Sequence, residues 1–374
     1  MSHMTNPSGG SRYVFFIIKE LSKKHNVTLF LQKPLTFLES EFQNEKINVI
    51  YLSDCSTGDL KFWFTFPFQI KKQISILKNH TKNFDVIISS MFPMNILANS
   101  LSMPHVQQCF QPFAFFWDKI LISKLSLSKK IFLKIMKILY GKLDLEYTRK
   151  STVISAPVKS VCNYIKEFYG KDAIPVYGGV NPIFHPTSNN ELLKKYQNKK
   201  ILIHSTDWTF TKNTNWLIDQ FSEISKEFDD LILLITEVKT SGNERKIALR
   251  KIQKSNLRIE LCDLVPEKLL PAYMSIADIG IYPGVAYKNS AASQWVLECM
   301  SCGTPVIRTN NTDEEVVHNK NGFLFDISKP KEFQEYVKKL LNDNSLRINF
   351  SENARNFILE NRTWEITTKS YEQN

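Results

Sequence analysis

Ile279-Gly280-Ile281-Tyr282-Pro283, followed after a loop by Leu297-Glu298-Cys299-Met300-Ser301-Cys302-Gly303-Thr304-Pro305-Val306-Ile307, is the stretch on which the fold turns. A short apolar run that stops at a proline reads as a buried strand, and Pro305 to Arg308 reads as another. Between them Asn289-Ser290-Ala291-Ala292-Ser293 opens a helix. Strand, helix, strand at this spacing is a parallel crossover unit.

The same alternation extends in both directions. Ahead of it lie strand-like runs at Lys200 to Ser205, Leu231 to Thr236 and Leu257 to Leu261, and behind it one at Gly322 to Phe325. An earlier series holds Val27 to Leu31, Val49 to Leu52, Val86 to Ser89, His105 to Phe110 and Thr152 to Ser155, with helical patterns at Tyr13 to Lys24 and Val158 to Phe168. Between the series, Val176-Tyr177-Gly178-Gly179-Val180-Asn181-Pro182 has the glycine and proline content of a linker. The expected class is therefore α/β, with two domains of parallel sheet and crossover helices. Only Thr5-Asn6-Pro7-Ser8-Gly9-Gly10-Ser11 precedes the first helical pattern, so the opening strand of a doubly wound domain is absent or very short in this sequence. Met1-Ser2-His3-Met4 reads as a cloning remnant and is set aside.

A chain of 374 residues, 43% hydrophobic and 23% charged, can fill two cores. Lysines interrupt even its richest apolar region, which excludes a membrane-spanning helix, and the start does not read as a signal peptide. The expectation is a soluble protein of the reducing cytoplasm, since its six cysteines show no disulfide-framework spacing. Cys299 and Cys302 form a lone C-x-x-C with no second pair, and are expected on a helix packed in the core. The formal charge of +11 admits nucleic acid, anionic lipid or a phosphorylated substrate. From Lys119 to Leu143 there are seven lysines and no acidic residue. There Ile131, Ile135, Ile138 and Leu139 follow helical spacing beside Lys130, Lys134 and Lys137. That pattern suits a helix lying on the inner face of a membrane, or equally a surface helix with an ordinary buried face.

These motifs resemble the retaining nucleotide-sugar glycosyltransferase family 4, whose signature places L-E-A-M-A-x-G-x-P-V-I after a strand. Other features stand in the family's order. Ser8-Gly9-Gly10-Ser11 is similar to its N-terminal glycine loop, and Val176 to Pro186 to its N-G-V-D-x-x-x-F-x-P segment. Glu267 to Tyr273 with Ala277-Asp278 resembles E-x-L-P-x-x-Y-x-x-A-D. Asn321-Gly322-Phe323-Leu324-Phe325 resembles N-G-x-L-V, and Trp364 stands where an aromatic residue precedes the last helix. The resemblance implies a GT-B fold: two facing Rossmann-like domains, residues 5–178 on the acceptor side and 179–360 holding the nucleotide sugar, with 361–374 as a helix returning to the first domain. It implies transfer of a sugar, with retention, from a nucleoside diphosphate (UDP or GDP) to a carbohydrate or lipid-linked acceptor in surface polysaccharide or glycoconjugate synthesis. No cofactor or metal is implied.

The chemistry has a reading of its own. A pyrophosphate wants clustered amide donors and positive charge, and a helix N-terminus after a strand supplies the donors. Asn289, Ser290, Ala291, Ala292 and Ser293 are the expected donor-binding turn. Lys288 adds charge there, and a carboxylate at Glu298 accepts both ribose hydroxyls. By resemblance Lys212 holds the diphosphate and offsets charge on the leaving group, so Lys212 and Ser290 are the catalytic candidates. Gly9, Gly10, Gln108 and Gln111 are the acceptor-side candidates, with Gln107 beside them and Phe110, Phe113, Phe115, Phe116 and Trp117 as an apolar bed or as core. His204 and His105 are weighed as catalysts against satisfied polar groups.

Three positions depart from the family pattern. Ser290 replaces the first carboxylate of E-x7-E, Asp207 replaces the loop arginine, and Phe110 replaces a histidine. An aspartate beside a diphosphate is costly unless a cation such as Lys288 or Arg308 compensates. These departures keep a rival in view, a catalytically silent subunit that binds a sugar nucleotide or a partner transferase. An enzyme of this architecture acting on nucleic acid rests only on net charge, and a sugar-nucleotide epimerase is more remote.

Overall fold

The computed structural model describes residues 9–34, 39–123, 125–284, 293–310 and 314–373. The chain divides into two compact units, Met1–Gly179 with Trp364–Asn374, and Val180–Thr363.

The first unit carries β1 (Thr28–Leu31), β2 (Asn48–Tyr51), β3 (Ile87–Ser89), β4 (His105–Gln108), β5 (Val153–Ala156) and β6 (Ile174–Pro175). β1 pairs with β2, while β3 to β6 form a second sheet in sequence order, and every pairing is parallel. β6 escaped the sequence reading because two residues carry no periodicity. Helices cover these strands, and an aromatic cluster of Phe62, Trp63, Phe66, Phe92, Phe113 and Phe116 forms much of the core. The closing helix, Trp364–Gln373, belongs to this unit. Trp364 stacks on Phe16 of the first helix, Gly9–Leu21, at 5.1 Å and meets the Tyr13 ring edge-on at 5.5 Å. The return of the chain to its first unit is thus fixed by aromatic contact.

The second unit is one six-stranded parallel sheet. It holds β7 (Lys200–Thr206), β8 (Leu231–Glu237), β9 (Ile259–Asp263), β10 (Ile279–Tyr282), β11 (Val306–Thr309) and β12 (Gly322–Phe325), in the order β12-β11-β10-β7-β8-β9. The first strand lies in the middle and the order reverses between β7 and β10, which makes this a doubly wound Rossmann-like sheet with its switch point there. β7 and β8 are buried over nearly their whole length, as strands covered by helices on both faces must be. All six strands of this series lie where the apolar runs put them, within a residue or two.

Two expectations are corrected here. Gly9 and Gly10 do not form a loop: they are the first turn of Gly9–Leu21, because the helical pattern behind them propagates backward and glycine imposes no φ of its own. The basic apolar segment is carried by two helices, Lys119–Ser123 and Leu127–Lys150, and the residues of the expected helical spacing all lie on the second. Leu133, Met136, Gly141, Asp144 and Thr148 face inward, and Ile131, Ile135, Ile138 and Leu139 point to solvent. The helix thus has an ordinary buried face, but the Ile131, Ile135, Ile138 and Leu139 stripe is not part of it.

Candidate active site

In an open parallel sheet, ligands gather beyond the carboxyl ends of the strands at the switch point. Here that point lies past Thr206 of β7 and Tyr282 of β10. β7 runs into a loop that ends in a 3-10 turn, Phe210–Lys212, and Asn213 then adopts a left-handed conformation (φ 54°) to start the next helix. This turn carries Lys212 back over the sheet, its Nζ 5.3 Å from the centre of the Tyr282 ring. Arg308, next to last in β11, approaches the same ring at 5.7 Å. Tyr282 also stacks against the buried Trp295 at 6.3 Å.

Several buried contacts hold this floor rigid. His204 Nδ1 donates to the Ile281 carbonyl at 2.9 Å, tying β7 to β10, and its Nε2 lies 3.0 Å from Thr214 Oγ1. Burial pushes the imidazole pKa down to about 4, the Ile281 carbonyl opposing and Lys212 adding to the shift. The ring is neutral near pH 7 and wholly buried, so His204 is a structural brace and not a cleft-facing base. Trp208, at positive φ, donates its indole N–H to Glu237 at 2.6 Å, and Arg245 binds the same carboxylate at 2.6 Å.

Asp207 accepts from the backbone N–H and hydroxyl of Thr209 at 2.9 and 2.6 Å. Its carboxylate shapes the loop that presents Lys212, which gives it a local role where the family pattern has arginine. Arg308 is no compensating cation for a phosphate, because it is buried and ion-paired with Glu315.

The donor-side candidates divide. Asn289, Ser290, Ala291 and Ala292, with Lys288, lie outside the described residues. The helix that follows is Gln294–Ser301, with Ser293 at its N-cap. Glu298 is half-buried on that helix between fully buried neighbours, and Cys299 and Cys302 are buried free thiols, as expected. Burial pushes both thiols up, so neither is a thiolate. The structure thus brings Lys212 together with Tyr282 on the floor, and puts Ser293 and Glu298 on the helix after β10. Tyr282 was quoted only as part of its strand, and Trp295 was not singled out in the sequence. The one signal for Tyr282 was an aromatic at the last position of a strand before proline.

The acceptor-side candidates are largely occupied with one another. Gln107 is buried, donating to Thr148 and accepting from Ser151. Gln108 Oε1 accepts from Ser155 at 2.6 Å and from the Tyr371 hydroxyl. Gln111 is half-buried, with its carbonyl facing Cys109. Phe113 and Phe116 are core and cannot be an acceptor's bed, while Phe110 packs edge-on against Tyr13 at 5.1 Å. His105 is buried between Ser89 and Asn99, and burial, with Lys171 nearby, takes its pKa down to about 4. It too is structural. Among the described residues no group of three acidic, histidine or cysteine side chains is arranged to hold a metal ion. No helix among them is long and apolar enough to cross a membrane.

Residues 187–357 match the family model described as Glycosyl transferases group 1. An uncharacterized glycosyltransferase of Methanocaldococcus jannaschii is 28% identical over 233 residues, covering 60% of this chain and 58% of that protein. N-acetyl-alpha-D-glucosaminyl L-malate synthase of Bacillus anthracis is 23% identical over 231 residues, covering 60% of this chain and 59% of its own. The chain spans less than two thirds of the length of these relatives. Among solved structures, a glycosyltransferase from Rickettsia africae superposes with a TM-score of 0.77 at 17% identity, over 100% of this chain and 97% of that one. Anabaena Alr3699/HepE in complex with UDP does so with a TM-score of 0.78 at 14% identity, over 100% and 97%. At such identities the likeness speaks to the fold, α/β with two Rossmann-like units as in GT-B glycosyltransferases. Over the matched segment the chain is similar to glycosyltransferases.

Proposed function

On the premise that residues 187–357 carry a glycosyl transferases group 1 domain, we propose that this protein moves a sugar from a nucleoside diphosphate to a carbohydrate or lipid-linked acceptor, with retention at the anomeric carbon. The observation that carries the reading is the ammonium of Lys212 held over Tyr282 at the switch point of the second sheet. A diphosphate set there would meet the Lys212 ammonium. Glu298 would accept the ribose hydroxyls, and Ser290 would bind a sugar hydroxyl where relatives use a carboxylate.

In such a transfer the bond from the anomeric carbon to the phosphate oxygen breaks as the acceptor oxygen approaches the same face. The acceptor proton passes to the departing phosphate. Lys212 then counters the negative charge that grows on the leaving diphosphate, the one moment at which a fixed cation lowers the barrier. No step needs a divalent ion, so chelation should leave the rate unchanged. The UDP bound in Anabaena Alr3699/HepE supports a uridine nucleotide among the candidates.

The acceptor side would involve Gly9, Gly10 and Gln111 in the first unit. Membrane contact would come from its solvent-facing apolar stripe, at the inner face of a membrane and in the cytoplasm. An acceptor displayed on lipid fits surface polysaccharide or glycoconjugate synthesis.

A thermal-shift panel of UDP, GDP and their sugars tests the donor site, since a ligand of the native state raises Tm. One nucleotide series should stabilise the protein. Lys212→Ala should weaken it roughly tenfold to a hundredfold, the worth of one charge-assisted bond. Glu298→Ala should weaken nucleoside diphosphate but not inorganic pyrophosphate. A flat panel would reject the reading. Binding without transfer or donor hydrolysis would instead support the silent subunit, the rival that Ser290, Asp207 and Phe110 motivate. Nucleic acid is not a proposed partner, and salt-sensitive DNA binding would revive it.

A further inference from the structure

The Lys212 ammonium rests over the Tyr282 ring at 5.3 Å, and a cation on a ring face holds a flexible four-carbon side chain only loosely. Its place is therefore set by the backbone of the loop 207–213 that carries it. At its far end that loop is closed by Thr214, whose hydroxyl donates to Thr206 Oγ1 at 2.8 Å. At its near end it is held by Trp208, a buried residue in the left-handed region at φ 57°. Such a backbone is costly for a bulky side chain and persists only where the surroundings enforce it.

Glu237 enforces it. This last residue of β8 lies opposite Thr206 of β7 in register, and its carboxylate is buried. Oε1 accepts the Trp208 indole N–H at 2.6 Å. Arg245 donates Nε to the same oxygen at 2.6 Å and Nη2 to Oε2 at 3.2 Å, and also reaches Asp263 at the end of β9 at 3.4 Å. A buried carboxylate needs a counter-charge, so the ion pair with Arg245 makes Glu237 a fixed acceptor for the indole. Gly242, at φ 129° ahead of the Asn243–Gln253 helix that carries Arg245, packs against Trp208 from another direction: a Cβ there would stand 3.8 Å from Trp208 Cβ.

We propose that Glu237, acting through Trp208, is a positioning residue for Lys212. It sets where the ammonium stands relative to the charge that grows on a departing diphosphate, an inference that rests on the donor site argued above. A cation displaced there by about 1 Å forfeits up to about a hundredfold in rate.

The test is a thermodynamic cycle read by calorimetric titration with UDP and GDP. Trp208→Phe removes the indole donor but keeps a ring, and should weaken the nucleotide that binds about fivefold to tenfold. In a Lys212→Ala background the same change should alter affinity less than twofold, because the group it positions is gone. An equal loss in both backgrounds, or no loss in either, would overturn the proposal. Glu237→Ala should weaken binding at least as much as Trp208→Phe. Glu237→Gln still accepts the indole N–H and should lose less than threefold. A second measurement needs no nucleotide, and it decides the matter if Glu237→Ala folds poorly or if neither nucleotide binds, the outcome that rejects the donor site itself. With lysines reductively methylated by isotope-labelled formaldehyde, the Lys212 resonance, assigned by Lys212→Arg, should be displaced by the Tyr282 ring current and lose that displacement in Tyr282→Leu. Trp208→Phe should remove at least half of it. A resonance undisplaced in the wild type, or one that Trp208→Phe does not move, also overturns the proposal.

Discussion

His204 shows how a residue's chemistry is set by what surrounds it. A histidine at the end of a central strand invites a catalytic reading, yet its ring is buried, bridges two strands and is held neutral. Its folded pKa, about 4, lies below the unfolded value near 6.5, so between these pH values the unfolded chain binds the extra proton. The stability that the neutral ring contributes is therefore complete above about pH 6.5 and lost as pH falls toward 4, on the order of 3 kcal/mol in all. Urea denaturation of wild type and His204→Gln should show a stability difference that shrinks over this window. A difference independent of pH would mean that the ring is solvated in the native state. Asp207 makes a related point. What looked like a damaging negative charge is hydrogen-bonded into the loop that carries Lys212, and no sequence pattern distinguishes these uses of one carboxylate.

At the scale of elements, the family-like motifs separate into scaffold and site. Asp278 accepts from the backbone N–H of Ile201 at 2.7 Å and pairs with Arg347 at 3.2 Å, fastening the start of β10 to β7. Asn321 donates to the Glu315 carbonyl and accepts from Val317, folding the turn before β12. Gly322 is required for a steric reason, because a Cβ there would stand 2.3 Å from the Val306 carbonyl oxygen. Arg308 and Glu315 form a buried ion pair at the end of β11. Glu315→Gln would leave the guanidinium without its counter-charge and should cost about 3–5 kcal/mol. Chemical denaturation measures this directly. A loss under 1 kcal/mol would show that solvent reaches the pair. These residues were legible as a motif but not as a mechanism, since the contacts that explain them join segments far apart in sequence.

At the scale of the whole molecule, the net charge of +11 and the exposed apolar stripe belong to one argument about partners. On the first unit Leu127 and Ile138 are 74% and 71% exposed, with Lys129, Lys134 and Lys142 exposed beside them. Phe64, 74% exposed, meets Phe132 of the same helix at 6.1 Å, so the apolar surface continues onto a neighbouring helix. Cations flanking such a surface match an anionic bilayer. Flotation with anionic vesicles should recover the protein, with weaker recovery on neutral ones. Ile131→Asp with Ile138→Asp should reduce binding at least tenfold, the equivalent of about 1.4 kcal/mol or more of lost apolar insertion. Equal binding by the variant would exclude this face.

The sequence by itself determined the two series of parallel strands, the second sheet nearly residue for residue, and the position of the glycosyltransferase-like motifs. Those follow from local hydrophobic period and from turn chemistry, which a linear chain displays. Only the tertiary structure decided which polar groups are used up internally, as His204, Gln107 and Arg308 are. It alone decided which face of Leu127–Lys150 meets water, and that Tyr282 lies beneath Lys212. These depend on which strands become neighbours, and burial and charge compensation are properties of that arrangement, not of any segment alone.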